Sequence, residues 1–296
     1  GSLHDPRKAA VPIIAAACGI AGPSAVYAIT QLVTGSKAFG GWAVPVATDI
    51  AFALGMLSLL EKKVPLSLKV FLLALAIVDD LGAILVIAVF YTESISQWAL
   101  LAAAVGLFIT WYLQKLRLNQ VWIYLALGVF VWLAVLNSGI HATIAGVLLG
   151  LLVRKDEKSL NHLIHQLEPW VNLGIMPIFA LTNAGILIEG FSLNQMSDPV
   201  ILGVLLGLLL GKPLGVLGFS FLAVKLRLAQ LPRGSNWSQI GAVGCLAGIG
   251  FTMALFIGGL ALGGTPFEVE AKLGILLASF CASACGLIWL KLLRDV

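Results

Sequence analysis

Residues 73–90 read LALAIVDDLGAILVIAVF, and two adjacent carboxylates, Asp79 and Asp80, stand near the middle of an otherwise apolar run. In a helix that crosses a bilayer, each ionised Asp at the centre costs roughly 2.5–3.5 kcal/mol on insertion scales. Two in a row demand a partner or a function. The whole composition points to the same setting. The chain has 296 residues, 60% of them hydrophobic and only 11% charged, with a mean hydropathy of +1.02. A soluble domain of this length carries far more charge. The expected fold class is therefore all-α, a polytopic membrane helical bundle. The net charge of +4 reports topology and not nucleic-acid binding. The four cysteines, Cys18, Cys245, Cys281 and Cys285, lie in apolar segments without CxxC spacing and read as packed small residues. Arg7 and Lys8 lead straight into a span, so no signal peptide is expected.

Apolar runs of about 20 residues give ten candidate spans, at 9–33, 42–60, 66–90, 97–114, 121–136, 139–153, 170–188, 200–224, 238–261 and 270–290. The basic residues test this count. Fifteen fall on the side of the N-terminus: Arg7, Lys8, Lys62, Lys63, Lys69, Lys115, Arg117, Arg154, Lys155, Lys158, Lys225, Arg227, Arg233, Lys291 and Arg294. Only Lys37 and Lys272 fall on the other. The positive-inside rule then places both termini in the cytoplasm. The remaining basic residue, Lys212, lies inside the eighth span. Of the fourteen acids, eleven fall in loops or at span ends, and Asp49, Asp79 and Asp80 do not. The membrane interior thus holds three carboxylates and one ammonium.

Two spans look breakable. The second carries Pro45 and then Thr48-Asp49 at its middle, and proline removes a helix hydrogen bond. The ninth carries Gly241, Gly244, Gly248 and Gly250, followed by Phe251-Thr252. Span 2 is the middle of spans 1–3 and span 9 the middle of spans 8–10. The two triplets run in opposite directions, a pattern found in secondary transporters. The expected organisation is one integral membrane domain: a first triplet over 1–91, linking helices over 92–199, and an inverted second triplet over 200–296. Gly203, Gly207, Gly211 and Gly215 make a smooth helix face for close packing. Residues 155–168 place Leu160, Leu163, Ile164 and Leu167 at helical spacing among charges, which predicts an amphipathic surface helix bearing His162 and His165.

Burial and like charge favour the protonated form of a carboxylate, and an ammonium partner favours the ionised one. Such a group holds either a proton or a small hard cation such as Na⁺ or Li⁺. Thr48, Thr252 and carbonyls freed by broken helices could complete the cation's shell. Asp49 could neutralise converging N-terminal helix ends and Lys212 the C-terminal ones. A buried Asp–Lys pair serving packing alone would account for one acid and leave two unexplained. Other classes fit less well. A passive cation channel could use acidic rings. A related transporter for an organic anion would want net positive groups. An intramembrane aspartyl protease would need a Gly-x-Gly-Asp context, which is missing, and has no use for Lys212.

The stretches VPVATDIAFALGMLSLL, FLLALAIVDDLGAI, NSGIHATIAGV, LLGKPLG and GIGFTMALFI resemble the NhaA sodium/proton antiporter family, along essentially the whole chain. The resemblance implies a secondary transporter, not an enzyme, that expels Na⁺ or Li⁺ from bacteria across the inner membrane. It would use the inward proton gradient, move more protons than sodium ions, respond to pH, and serve sodium and pH homeostasis without a cofactor. It implies Asp80 as the main cation ligand, with Asp79 as its partner, paired with Lys212 and trading that pair during the cycle. Thr48 and Asp49 would belong to the crossing of two interrupted helices, with Gly250, Phe251 and Thr252 on its other arm. His141 matches a position linked to pH response, and also reads as a satisfied interhelical histidine. The chain's start, GSLHDPRKAAVPIIAA, matches the family just before its third span, so the first two of twelve family helices are expected to be absent. Glu168 precedes Pro169-Trp170 where the family commonly has His. The family's homodimer contacts lie largely outside this chain, which leaves dimerisation open.

Overall fold

The second span breaks where Pro45 predicts. Phe39–Val46 is a 3₁₀ helix, Ala47 is extended, and α2 starts afresh at Ile50–Ser58 with Asp49 as its N-cap. Asp49 adopts β-region dihedrals and its side chain accepts from the Phe52 N–H, which satisfies one of the orphan donors of a helix start. The same interruption recurs late in the chain. Helix α11 (Trp237–Ala247) opens on a capping box between Asn236 and Gln239 and ends at Gly248. Helix α12 (Phe251–Leu262) restarts after Gly250, and the two axes differ by 48°.

The computed structural model describes residues 6–60, 64–91, 95–116, 120–152, 157–186, 196–228, 230–232 and 234–293, and the side chains within them except those of 6–18, 121 and 157–163. Regular structure among the described residues is all helical. The remaining helices are α1 (Pro6–Thr34), α3 (Leu66–Phe90), α4 (Gln97–Lys115), α5 (Val121–Asn137), α6 (Thr143–Leu152), α7 (Glu157–Trp170), α8 (Met176–Asn183), α9 (Pro199–Leu206), α10 (Lys212–Lys225) and α13 (Glu268–Leu292). Of the basic residues that set the expected topology, Lys62, Lys63, Arg117, Arg154, Lys155, Arg233 and Arg294 lie outside the described residues. So do the side chains of Arg7, Lys8, Cys18, Lys158, Leu160, His162 and Leu163.

Every one of the ten expected spans holds helix, with differences in length. Among the described residues, five helical stretches are long and apolar enough to cross a membrane, or six if α11 and α12 count as one bent span. Helix α6 starts at Thr143, because Ser138–Ala142 form a turn with Gly139 at φ 85°. The surface helix α7 does not stop before the seventh span. It continues through a π turn, Val171–Ile175, into α8. A second π turn, Gly207–Gly211, joins α9 to α10. Both stand beside a proline, Pro169 and Pro213, whose ring cannot take a place in the ordinary α ladder.

The chain divides into two compact units. One contains the residues up to Ala83 and from Met176 onward; the other is Ile84–Ile175. In the first, one core gathers Leu57, Leu68, Leu72, Leu75, Val216, Ile240 and Leu246 between α2, α3, α10 and α11. Another gathers Tyr27, Val44, Val204, Leu208, Leu255 and Ile275 between α1, the 3₁₀ helix, α9, α12 and α13. The glycine face closes against α1. A Cβ at Gly211 would lie 2.7 Å from Cα of Pro23, and one at Gly203 would lie 2.8 Å from the ring of Tyr27. In lipid such contact holds helices together more than water exclusion does. In the second unit, Ala103, Val131, Ala134, Val135 and Ala145 form a core of small side chains between α4, α5 and α6.

Candidate functional site

The two interruptions meet. The backbone N–H of Asp49 donates to the carbonyl of Ile249 at 2.6 Å, so one break hydrogen-bonds directly to the other. Four half-helix ends converge there, and each needs partners for orphaned backbone groups.

Asp49 serves the two N-terminal ends. Its Oδ1 accepts from the Phe52 N–H at 3.1 Å, in the first turn of α2. Its Oδ2 accepts from the Thr252 N–H at 3.0 Å, in the first turn of α12, and also from the Thr252 hydroxyl. A single buried carboxylate therefore sits between two positive helix ends. Ser279 of α13 completes the arrangement: its Oγ accepts from the Phe251 N–H at 3.1 Å. The Phe251 ring stands edge-on to Phe52, with centroids 4.7 Å apart. Gly250 is needed for the close approach: a Cβ there would lie 2.8 Å from Cβ of Ala254 and 3.2 Å from the Ala47 carbonyl.

The two C-terminal ends take donors. The 3₁₀ helix ends at Val46, whose carbonyl accepts from Lys212 Nζ. Helix α11 ends at Ala247, whose carbonyl accepts from the Thr48 hydroxyl at 2.7 Å. Both donors also hold Asp79. Lys212 Nζ lies 2.7 Å from Asp79 Oδ2, with both side chains fully buried, and Thr48 Oγ1 lies 2.9 Å from the same oxygen. Lys212 Nζ thus serves a carboxylate and a helix C-terminus at once.

Two buried carboxylate oxygens of the site remain without a donor. Asp79 Oδ1 and Asp80 Oδ1 are buried and have no hydrogen-bond partner among the described residues. Asp80 is only partly buried as a residue, whereas Asp79 is fully enclosed. A buried carboxylate oxygen without a donor is costly, and it is also an oxygen ligand ready for a proton or a hard cation.

Of the sequence-predicted residues, Thr48, Asp49, Asp79, Asp80, Lys212, Gly250, Phe251 and Thr252 all belong to the first unit. All but Asp80 are joined by the contacts above; Asp80 is next to Asp79 in α3. His141 belongs to the other unit, where its carbonyl accepts from the Ile144 N–H at 3.1 Å at the start of α6. Ser279 is the residue that sequence reasoning missed. A serine in an apolar helix carries no mark that separates a capping role from ordinary packing.

The family model described as Na+/H+ antiporter 1 matches residues 1–290. Curated relatives include the Na(+)/H(+) antiporter NhaA of Glaesserella parasuis serovar 5 (strain SH0165), 46% identical over 99% of this chain and 75% of its own length. The protein of that name from Aliivibrio salmonicida (strain LFI1238) is 47% identical over 99% of this chain and 78% of its own. That from Escherichia coli O139:H28 (strain E24377A / ETEC) is 46% identical over 98% and 76%.

Proposed function

The chain belongs to the Na+/H+ antiporter 1 family, and from that premise we propose that it exchanges Na⁺ for H⁺ at Asp79 and Asp80. The observation that carries the assignment to these residues is the pair of buried, unpartnered Oδ1 atoms beside the crossing of two broken helices. Protons and a hard cation compete for the same oxygens, so the site holds one or the other. Asp80 is the main cation ligand. Asp79 joins it when it gives up Lys212, because an incoming cation competes with the ammonium for the same carboxylate. Asp49 and Lys212 keep the half-helix ends compensated throughout. Thr48, Thr252 and the nearby carbonyls supply neutral oxygens. Gly250 and Phe251 shape the far arm of the crossing, and His141 contributes to the pH response.

We further propose that Li⁺ is accepted with Na⁺ and that outward cation movement is driven by external H⁺ in an electrogenic cycle. The chain resides in the bacterial inner membrane with both termini cytoplasmic. Along the sequence, inverted triplets over 1–91 and 200–296 flank linking helices over 92–199.

The test is proton release from purified protein in weakly buffered detergent at slightly alkaline pH. Na⁺ and Li⁺ should release protons and K⁺ should not, and Asp80→Asn should abolish the signal. Release that persists in Asp80→Asn would remove Asp80 as the shared ligand, and release that appears equally with K⁺ would exclude a selective exchange site.

A further inference from the structure

The two oxygens of Asp79 face different surroundings. Oδ2 is engaged by Lys212 Nζ at 2.7 Å and Thr48 Oγ1 at 2.9 Å. Oδ1 has no donor among the described residues and lies against α1 at Gly19. A Cβ built on Gly19 would lie 3.3 Å from Asp79 Oδ1, 3.7 Å from Lys212 Nζ and 3.7 Å from a methyl of Val216. The backbone does not ask for glycine there. Gly19 sits within α1 and is not among the residues with positive φ, and glycine in a helix interior is destabilising relative to alanine. Nor does it serve helix packing as Gly22 does one turn on, where a Cβ would meet the Gly211 carbonyl and Gly215 Cα of the neighbouring backbone. What a Cβ at Gly19 would meet is the ion pair itself.

We propose that Gly19 is a specificity-determining residue of the exchange site: its lack of a side chain spares the Oδ1 edge of Asp79 a methyl contact, and the room this leaves beside Oδ1 selects among cations. The inference rests on the exchange reading given above. An ion that binds carboxylate oxygens must fit itself and its remaining ligands into the space beside them, so room in the cavity contributes to selectivity. Oδ1 is the atom of Asp79 that an ion reaches without first displacing Lys212 or Thr48. A methyl 3.3 Å from it removes room that Na⁺ needs more than the smaller Li⁺ does.

The experiment titrates proton release from the purified full chain with Na⁺ and with Li⁺, in wild type, Gly19→Ala and Gly22→Ala. In Gly19→Ala the half-maximal Na⁺ concentration should rise by roughly threefold or more relative to that for Li⁺. Gly22→Ala should lower thermal stability and leave the Na⁺/Li⁺ ratio as in wild type. If Gly19→Ala folds poorly, Val216→Ala added to it removes the methyl 3.7 Å from the new Cβ, and the altered ratio should persist in the recovered protein. Equal shifts for both ions, no shift in the ratio, or the same ratio change in Gly22→Ala would overturn the proposal. A wild type that releases no protons on either ion would refute the exchange reading, and the proposal with it; a responsive wild type with an unaltered Gly19→Ala ratio refutes the proposal alone.

Discussion

Thr48 has one hydroxyl hydrogen and two acceptors within reach, Asp79 Oδ2 and the Ala247 carbonyl. It can serve only one at a time. An ionised Asp79 draws the hydrogen to itself; a protonated Asp79 can donate to Thr48 Oγ1 and turn the hydroxyl toward the end of α11. Thr48→Val should therefore change the pH profile of Na⁺-induced proton release, while Thr48→Ser keeps it; identical profiles for wild type and Thr48→Val would discount the link. Competition also fixes a sign. Protons must leave before the ion binds, so each unit of acidification should raise the half-maximal Na⁺ concentration by up to about tenfold per competing proton. Lys212→Ala should destabilise by about 3–5 kcal/mol in unfolding measurements, because it strands a buried carboxylate, and Asp79→Asn in the same background should recover part of that loss. At this scale the sequence was informative for a simple reason. Charges inside a membrane are expensive, so Asp49, Asp79, Asp80 and Lys212 stood out against their surroundings. Ser279 did not, because a hydroxyl is cheap on a helix that can bond it to its own backbone.

At the scale of helices, the glycine seam between α1 and the continuous stretch from α9 through the π turn to α10 makes a graded prediction. Gly211→Ala sets a methyl against the backbone of Pro23 and should cost about 1–3 kcal/mol. Gly218→Ala meets nothing within 4 Å and should leave the melting temperature unchanged or slightly raised. A comparable loss from both would deny the seam its role. Pro45 and the Gly248–Gly250 segment made both interruptions visible in advance, since proline removes a donor and glycine weakens a helix. The two π turns were not visible, because apolar periodicity is almost the same through a five-residue widening. Nor was the merging of α7 into α8, because Pro169 reads in sequence as a helix boundary and here is carried inside the helix.

At the scale of the whole molecule, the asymmetry of basic residues sets an orientation that labelling can check. In a background without native cysteines, Lys37→Cys should react with an impermeant maleimide added to intact cells, and Lys225→Cys only after permeabilisation; the reverse pattern would invert the topology. Both side chains are exposed. The crossing of the broken helices has a further consequence for how the protein breathes. The amide of Asp49 is tied to Ile249, and those of Phe52 and Thr252 are tied to the carboxylate of Asp49. Three amide protons on two distant stretches of chain thus share one set of fastenings. In deuterated solvent they should exchange together, as a single cooperative opening, and Asp49→Ala should speed all three at once.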